Sequence, residues 1–142
     1  MTSVIAELNE LLRRERGEVE AVAELVREIR KSDPDIADGA ADVLETAGWS
    51  CRGLVSRIEW LGGTPTLDAA DHTEELQERE GIKEKLEFIC GTQDADLQAT
   101  KALLAKPILD SDTRKFLQEL LQAHESTINW CKATLGEWSV TK

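Results

Sequence analysis

His124 and Glu125 are the residues of this sequence whose types and positions best suit chemistry. They interrupt a stretch in which apolar residues recur every three or four positions, the spacing of one buried face of an α-helix. His124 falls in the middle of that face, and Glu125 falls on its edge. Imidazole and carboxylate groups bind divalent cations, so the pair predicts either a metal site or a buried polar layer without a metal. The apolar positions are Leu117, Leu120, Leu121, Ile128, Cys131 and Leu135.

Glu15 and Gln93 are two further polar residues on predicted buried faces. Glu15 is central in the first predicted helix and Gln93 in the third, as His124 is in the fourth. Helices of similar length bring their midpoints to one level, so we predict a buried polar layer of Glu15, Gln93 and His124, with Glu125 beside it. A carboxylate in an apolar interior must be paired, bound to a metal or protonated. His124 beside Glu15 would meet that need without any metal.

Glu18 and His72 receive different predictions. Glu18 also falls on the apolar stripe of the first helix, but it follows a run of charged residues, and we interpret it as part of a solvated turn. His72 lies near the start of the third predicted helix, where we expect its side chain to be exposed and without a function.

The helices that position these residues are predicted from amphipathic spacing and from the residues that end helices. Asp33-Pro34 marks the start of a helix, Gly62-Gly63 marks the end of one, and Pro107 interrupts the chain before the last. Four long helices in a chain of 142 residues predict an all-α fold, a four-helix bundle in a single domain. The predicted helices cover residues 2–31, 34–61, 72–105 and 111–138.

Composition and charge disfavour several classes of protein. The formal net charge is -11, which argues against binding to nucleic acid or to an anionic membrane surface. No apolar run approaches the roughly 18 residues that span a bilayer. The sequence begins without the apolar core of a signal peptide, and Cys51, Cys90 and Cys131 are odd in number and widely spaced. We therefore expect a cytoplasmic protein with reduced thiols.

A dinuclear iron or manganese site needs more ligands than these helices offer. Such a site takes a Glu from each of two helices and a Glu-x-x-His from each of the other two. Helix two presents Ala47 at the level of the polar layer, and three residues after Glu125 comes Ile128. We therefore predict that a complete dinuclear site cannot form. What remains is a mononuclear site of Glu15, His124 and Glu125 for iron, manganese or zinc, or the vestige of such a site.

Trp49 and Trp60 lie on the outer face of the second predicted helix, about three turns apart with small residues between them. Exposed tryptophans beside small residues favour a contact surface. We assign Trp49 to a protein–protein interface, that of a homodimer. Trp60 adjoins Gly62-Gly63, and we expect it to pack beneath the loop that follows.

Several stretches of the chain resemble the ferritin-like superfamily, and specifically a small, uncharacterised bacterial family within it. The resemblance implies a ferritin-like four-helix bundle with a crossover connection between helices two and three. The residues that connect these two predicted helices extend about 35 Å at most, less than the length of helix two, so an up-down-up-down topology stays open. The matching stretches are LNELL at residues 8–12 followed by ERG at 15–17, IEWLGGTP at 58–65, LEFICGTQ at 86–93, and AHE at 123–125 with Ile128 and Cys131.

The resemblance also implies a Glu-x-x-His or Glu-x-x-Trp run just before Cys51 in helix two. The sequence there reads Ala47-Gly48-Trp49-Ser50, so both ligand positions are replaced. On these grounds we predict a non-catalytic interaction or structural protein, without a cofactor and with a degenerate carboxylate site. The alternative is a metal-binding or redox protein with iron or another divalent metal in the bundle core. A third prediction is a small-ligand pocket beside Gln93 and Glu15.

Overall fold

The computed structural model describes residues 2–141, with side chains described from Val4 to Gly136. This part of the chain forms helices and no strands, which confirms the predicted all-α class. None of its helices is both long enough and apolar enough to span a membrane. The helices are α1 (Thr2–Arg30), α2 (Pro34–Trp60), α3 (His72–Gln77), α4 (Gly81–Leu104) and α5 (Ser111–Thr141).

Most helix ends lie within a residue of their predicted positions, because local residues set them. The Asp33 carboxylate accepts a hydrogen bond from the Ile36 amide at 3.3 Å, and Pro34 is the first residue of α2. The prediction of one continuous helix over residues 72–105 is wrong. Gly81 has a φ of 79°, a left-handed conformation that suits glycine and separates the short α3 from α4.

The four long helices pack as antiparallel neighbours. α1 packs most extensively against α2, and α4 against α5, while α1 also contacts α4 and α2 contacts α5. Two ion pairs show which residues of α1 and α4 lie side by side. Near the C-terminal end of α1, Lys85 Nζ lies 2.6 Å from Glu28 Oε2. Lys106 Nζ lies 3.4 Å from Glu7 Oε1 near the other end. Among the described residues no Cα atom of α2 lies within 8 Å of one of α4, so these two helices lie diagonally opposite.

The connection from α2 to α4 runs along α1. The Asn9 side-chain oxygen accepts a hydrogen bond from the Thr66 amide at 2.8 Å. Further along, the Ala70 amide donates to the Arg13 carbonyl at 3.0 Å. This path carries the chain back toward the C-terminal end of α1, so the connection is a crossover. It can cover that distance because all of residues 61–80 lie between the two long helices, whereas the sequence predicted a connection half as long.

Gly17 is a point of close approach between α1 and this connection. A Cβ atom at Gly17 would lie 2.6 Å from the backbone carbonyl oxygen of Ala70. We expect Gly17→Ala to lower the free energy of unfolding by about 1–3 kcal/mol, because the backbone of the connection must move to admit the methyl group. Gly91→Ala is the control, since a Cβ atom there meets nothing within 4 Å and alanine should stabilise the helix interior by about 1 kcal/mol. Chemical denaturation compares the two variants, and equal stabilities would contradict the close packing at Gly17.

Two apolar clusters form the core, one on each side of a buried polar layer. The cluster near the C-terminal end of α1 includes Leu25, Leu86 and Cys131. The cluster near the N-terminal end of α1 includes Leu12 and Leu54. Buried carboxyl, amide and imidazole side chains lie at the level between the clusters.

Trp49 and Trp60 differ in their surroundings. The Trp49 ring is partly buried and packs against Phe116, with the ring centroids 5.6 Å apart. Trp60 is 60% exposed, so the prediction that it packs beneath the following loop is wrong. The Arg57 guanidinium lies over the Trp60 ring, 5.2 Å from its centroid, and covers part of it instead.

Candidate metal centre

The buried polar layer is built by side chains from three of the long helices. α1 contributes Glu15 and Glu18, α4 contributes Gln93 and Asp96, and α5 contributes His124. On α1 and on α4 the two polar residues are three positions apart, a spacing that places both on one helical face. All five side chains are at most 3% exposed. The structure thus brings together Glu15, Gln93 and His124, and it adds Glu18 and Asp96 to them.

Helix α2 contributes Ala47 and Ser50 to this level of the core. Ala47 is buried and carries no ligand atom. The Ser50 hydroxyl donates to the carbonyl of Thr46 at 3.0 Å, within its own helix. Among the described residues, α2 therefore offers the polar layer neither a carboxylate nor an imidazole.

Hydrogen bonding defines which nitrogen of His124 faces the centre of the layer. Nδ1 lies 2.8 Å from the side-chain oxygen of Gln93. An amide oxygen only accepts, so Nδ1 carries the hydrogen and Nε2 carries a lone pair. Nε2 lies 3.1 Å from Glu15 Oε1, so a proton on that oxygen would be within hydrogen-bond reach of the Nε2 lone pair.

Asp96 is the ligand candidate that sequence reasoning missed. Its side chain is fully buried, and Oδ1 lies 2.7 Å from Arg14 Nε. The signal was present in the sequence, because Asp96 follows Gln93 by three positions and precedes Leu97, which is also buried. Glu15, Asp96 and His124 each offer one ligand atom, and these three atoms all lie within 4.8 Å of one another.

Glu125 lies apart from this group. Its side chain is exposed, whereas the three candidate ligands are buried. The helical position next to His124 rotates Glu125 by about 100° away from the layer, because an α-helix has 3.6 residues per turn. The carboxylate that accompanies Glu15 and His124 in the structure is that of Asp96.

The burial of Glu18 and of His72 differs from what the sequence predicts. Glu18 is fully buried, so its interpretation as part of a solvated turn is wrong. Thr92 Oγ1 donates to Glu18 Oε2 at 2.8 Å, and His72 Nδ1 lies 3.6 Å from the same oxygen. The side chain of His72 is 12% exposed, and its ring packs nearly perpendicular to the ring of Phe88, with the centroids 6.1 Å apart. The expectation of an exposed histidine is therefore also wrong. The crossover causes both differences, because it places α3 against α1.

Burial and neighbouring charge shift the pKa values of these groups. Burial, together with the charges of Asp96 and Glu18, raises the pKa of Glu15 well above its ordinary value. Burial raises the pKa of Glu18 to about 7, and the charge of Asp96 adds to that effect. Burial raises the pKa of Asp96 to about 6 even though the Arg14 charge opposes it. Burial, aided by Arg14, lowers the pKa of His124 to about 4, so the imidazole is neutral at pH 7.

The raised pKa values of Glu15 and Glu18 favour their protonated forms, and a cation would compete with those protons. Buried oxygens and nitrogens without hydrogen bonds are costly, about 1–3 kcal/mol each, and are therefore rare in folded proteins. Here Asp96 Oδ2 is buried without such a partner, while Asp96 Oδ1 lies 2.7 Å from Arg14 Nε and Glu15 Oε1 lies 3.1 Å from His124 Nε2. Ligand atoms around a first-row cation at about 2.0–2.2 Å are roughly 3–3.5 Å apart, so shifts of about 1 Å would complete the shell.

The donor set indicates which cations the group suits. Two carboxylates balance the charge of one divalent ion, and imidazole with carboxylate suits manganese, iron and zinc. Neither models of known protein families nor curated proteins match this chain.

Proposed function

We propose that the chain is a ferritin-like four-helix bundle that binds one divalent first-row cation through Glu15, Asp96 and His124. Antiparallel neighbours, with α2 and α4 diagonally opposite and joined by a crossover, support the ferritin-like part of the proposal. They agree with the topology that the sequence resemblance implies. The cation would be manganese, iron or zinc.

The observation that carries this proposal is the convergence of three buried ligand atoms, one each from Glu15, Asp96 and His124, within 4.8 Å of one another. The bond from His124 Nδ1 to Gln93 is the kind of outer contact that orients metal-binding histidines and leaves Nε2 for the metal.

Three protein ligands leave coordination positions open for water or a small molecule. A cation held in this way can lower the pKa of bound water or polarise a bound oxygen. The ligand set differs from the one predicted from sequence, since Asp96 replaces Glu125. A homodimer interface at Trp49 has weaker support, because that ring packs partly against Phe116 within the chain.

A binding titration of demetallated protein tests the proposal. We expect one Mn²⁺ or Zn²⁺ per chain for the unmodified protein. Asp96→Asn should weaken the affinity at least tenfold, because it replaces an anionic ligand with a neutral amide of the same size; even outer contacts of metal sites contribute about 10–100-fold. Asp94→Asn is the matched control, since Asp94 is exposed two positions away and should bind as the unmodified chain does. Binding well below one cation per chain, or equal affinities in the two variants, would contradict the proposal.

A further inference from the structure

A cleft of about 670 Å³ lies directly outside the polar layer, between α1, α3 and α4. Three of its lining residues contact the buried carboxylates from the solvent side. Arg14 pairs with Asp96, while Thr92 and His72 meet Glu18. A molecule in the cleft would therefore be separated from Asp96 by the Arg14 side chain alone.

We propose that this cleft binds a small monocarboxylate and that Arg14 couples its binding to that of the cation. The inference rests on the proposed cation site, and it assigns that site a class of second ligand. The carboxylate would pair with the Arg14 guanidinium, and the apolar part of the molecule would lie along the α4 wall of the cleft.

Arg14 is the residue that faces both sites. Its Nε lies 2.7 Å from Asp96 Oδ1, and its side chain, 25% exposed, also lines the cleft. A guanidinium has five N–H donors in a planar fork, so it can serve a second carboxylate from its outer edge. A cation bound to Asp96 would repel the Arg14 guanidinium and would neutralise the carboxylate that pairs with it in the metal-free protein. An anion in the cleft would then replace that carboxylate as the counter-ion of Arg14, so each ligand should strengthen the binding of the other.

The lining of the cleft indicates a small molecule with an apolar part. Phe88 and Gly91 belong to its α4 wall. Glycine weakens a helix interior, and beyond its chain neighbours and its own helical backbone no described atom lies within 4 Å of where a Cβ atom of Gly91 would be, so close packing does not explain Gly91. Its missing side chain keeps the cleft open. Glu84 and Glu87 line the same cleft together with Arg79, whose guanidinium lies over the Phe88 ring, 5.0 Å from its centroid. The two glutamates oppose the charges of Arg14 and Arg79, so the cleft suits a ligand with one negative group and not two.

The experiment measures the affinity of the full chain for Mn²⁺ in the presence of simple probes. Butyrate should tighten Mn²⁺ binding by at least about fivefold, the lower end of typical coupling between sites. Butyramide, which has the same shape without the charge, should have no effect, and succinate should act more weakly than butyrate. This comparison needs no variant and so does not depend on the folding of one.

Two variants assign the effect to the cleft. Arg14→Gln should bind Mn²⁺ more tightly than the unmodified chain in the absence of butyrate, because a competing positive charge is gone, and should lose the response to butyrate. Gly91→Leu retains every cation ligand and adds an apolar side chain to the α4 wall of the cleft, so it should weaken the response.

Separate outcomes overturn the two proposals. If Mn²⁺ binds with an affinity that butyrate does not change, or if butyramide acts as butyrate does, the coupled carboxylate site is wrong while the cation site stands. Weaker Mn²⁺ binding by Arg14→Gln would likewise overturn the role of Arg14. If the unmodified chain binds no Mn²⁺ or Zn²⁺, both proposals fail.

Discussion

Addition of Mn²⁺ to the demetallated protein should raise its free energy of unfolding by about 3–4 kcal/mol once free cation exceeds the dissociation constant by 100- to 1,000-fold. The gain arises because the folded chain assembles Glu15, Asp96 and His124 at one point, whereas the unfolded chain does not. For a domain of this size the midpoint of thermal unfolding should rise by roughly 10 °C. Circular dichroism at about pH 7.5, with and without the cation, measures the shift.

Glu15→Gln separates a ligand from a structural partner. Glutamine has the shape of a protonated glutamate, so the metal-free variant should be at least as stable as the metal-free unmodified protein at that pH. It should nevertheless lose the stabilisation by Mn²⁺. Glu125→Gln is the matched control, since Glu125 is exposed beside His124, and it should keep the full shift. A full shift in Glu15→Gln would mean that the cation binds elsewhere on this acidic chain.

Without a cation, the protein should lose at least about 2 kcal/mol of stability between about pH 5 and pH 8, at about 1.36 kcal/mol per unit of pKa difference, and the raised pKa of Glu15 adds to this loss. Glu18 has a pKa of about 7 in the folded chain and an ordinary value of 4.5, so its contribution is present below 4.5 and is lost as the pH rises through 7. Asp96 acts in the same direction between 3.8 and about 6. His124 acts in the opposite direction between 6.5 and about 4, because its pKa is lowered, and it cancels part of the effect below pH 6.5.

The cation should reverse this dependence on pH, because it binds the ionised carboxylates and competes with their protons. Chemical denaturation across this pH range, with and without Mn²⁺, would show two curves that diverge as the pH rises. Glu18→Gln should flatten the metal-free curve, whereas Glu20→Gln, which changes an exposed residue, should leave it unchanged. A metal-free stability that rises steadily from pH 5 to pH 8, or two parallel curves, would contradict the protonation states described for the layer.

The parts of the fold that the sequence predicts well are those that local residues determine. Pro34 and its capping neighbour Asp33 start α2, and the amphipathic spacing places Glu15 and His124 on buried faces. The break between α3 and α4 is different, since Gly81 lies among polar residues that are also compatible with one long helix. Nothing in the helical spacing there distinguishes the two conformations.

The parts of the candidate site that the sequence does not predict depend on contacts between distant segments. Glu18 and His72 are buried because the crossover runs along α1. The crossover can follow this path because all of residues 61–80 lie between α2 and α4. Asp96 stands beside Glu15 because α4 is antiparallel to α1 in a particular register. A one-turn shift of that register would move a different residue of α4 to the level of Glu15.

The most direct test of the cation site is anomalous diffraction from crystals of the full chain grown with Mn²⁺ or Zn²⁺. The proposed site predicts one strong anomalous peak in the polar layer, about 2.0–2.2 Å from an oxygen of Glu15, an oxygen of Asp96 and Nε2 of His124. Gln93 should remain hydrogen-bonded to Nδ1 in that structure. Anomalous peaks confined to the acidic surface, with a hydrogen bond joining Glu15 and His124 in the layer, would contradict the account and leave the layer as a structural feature of the core.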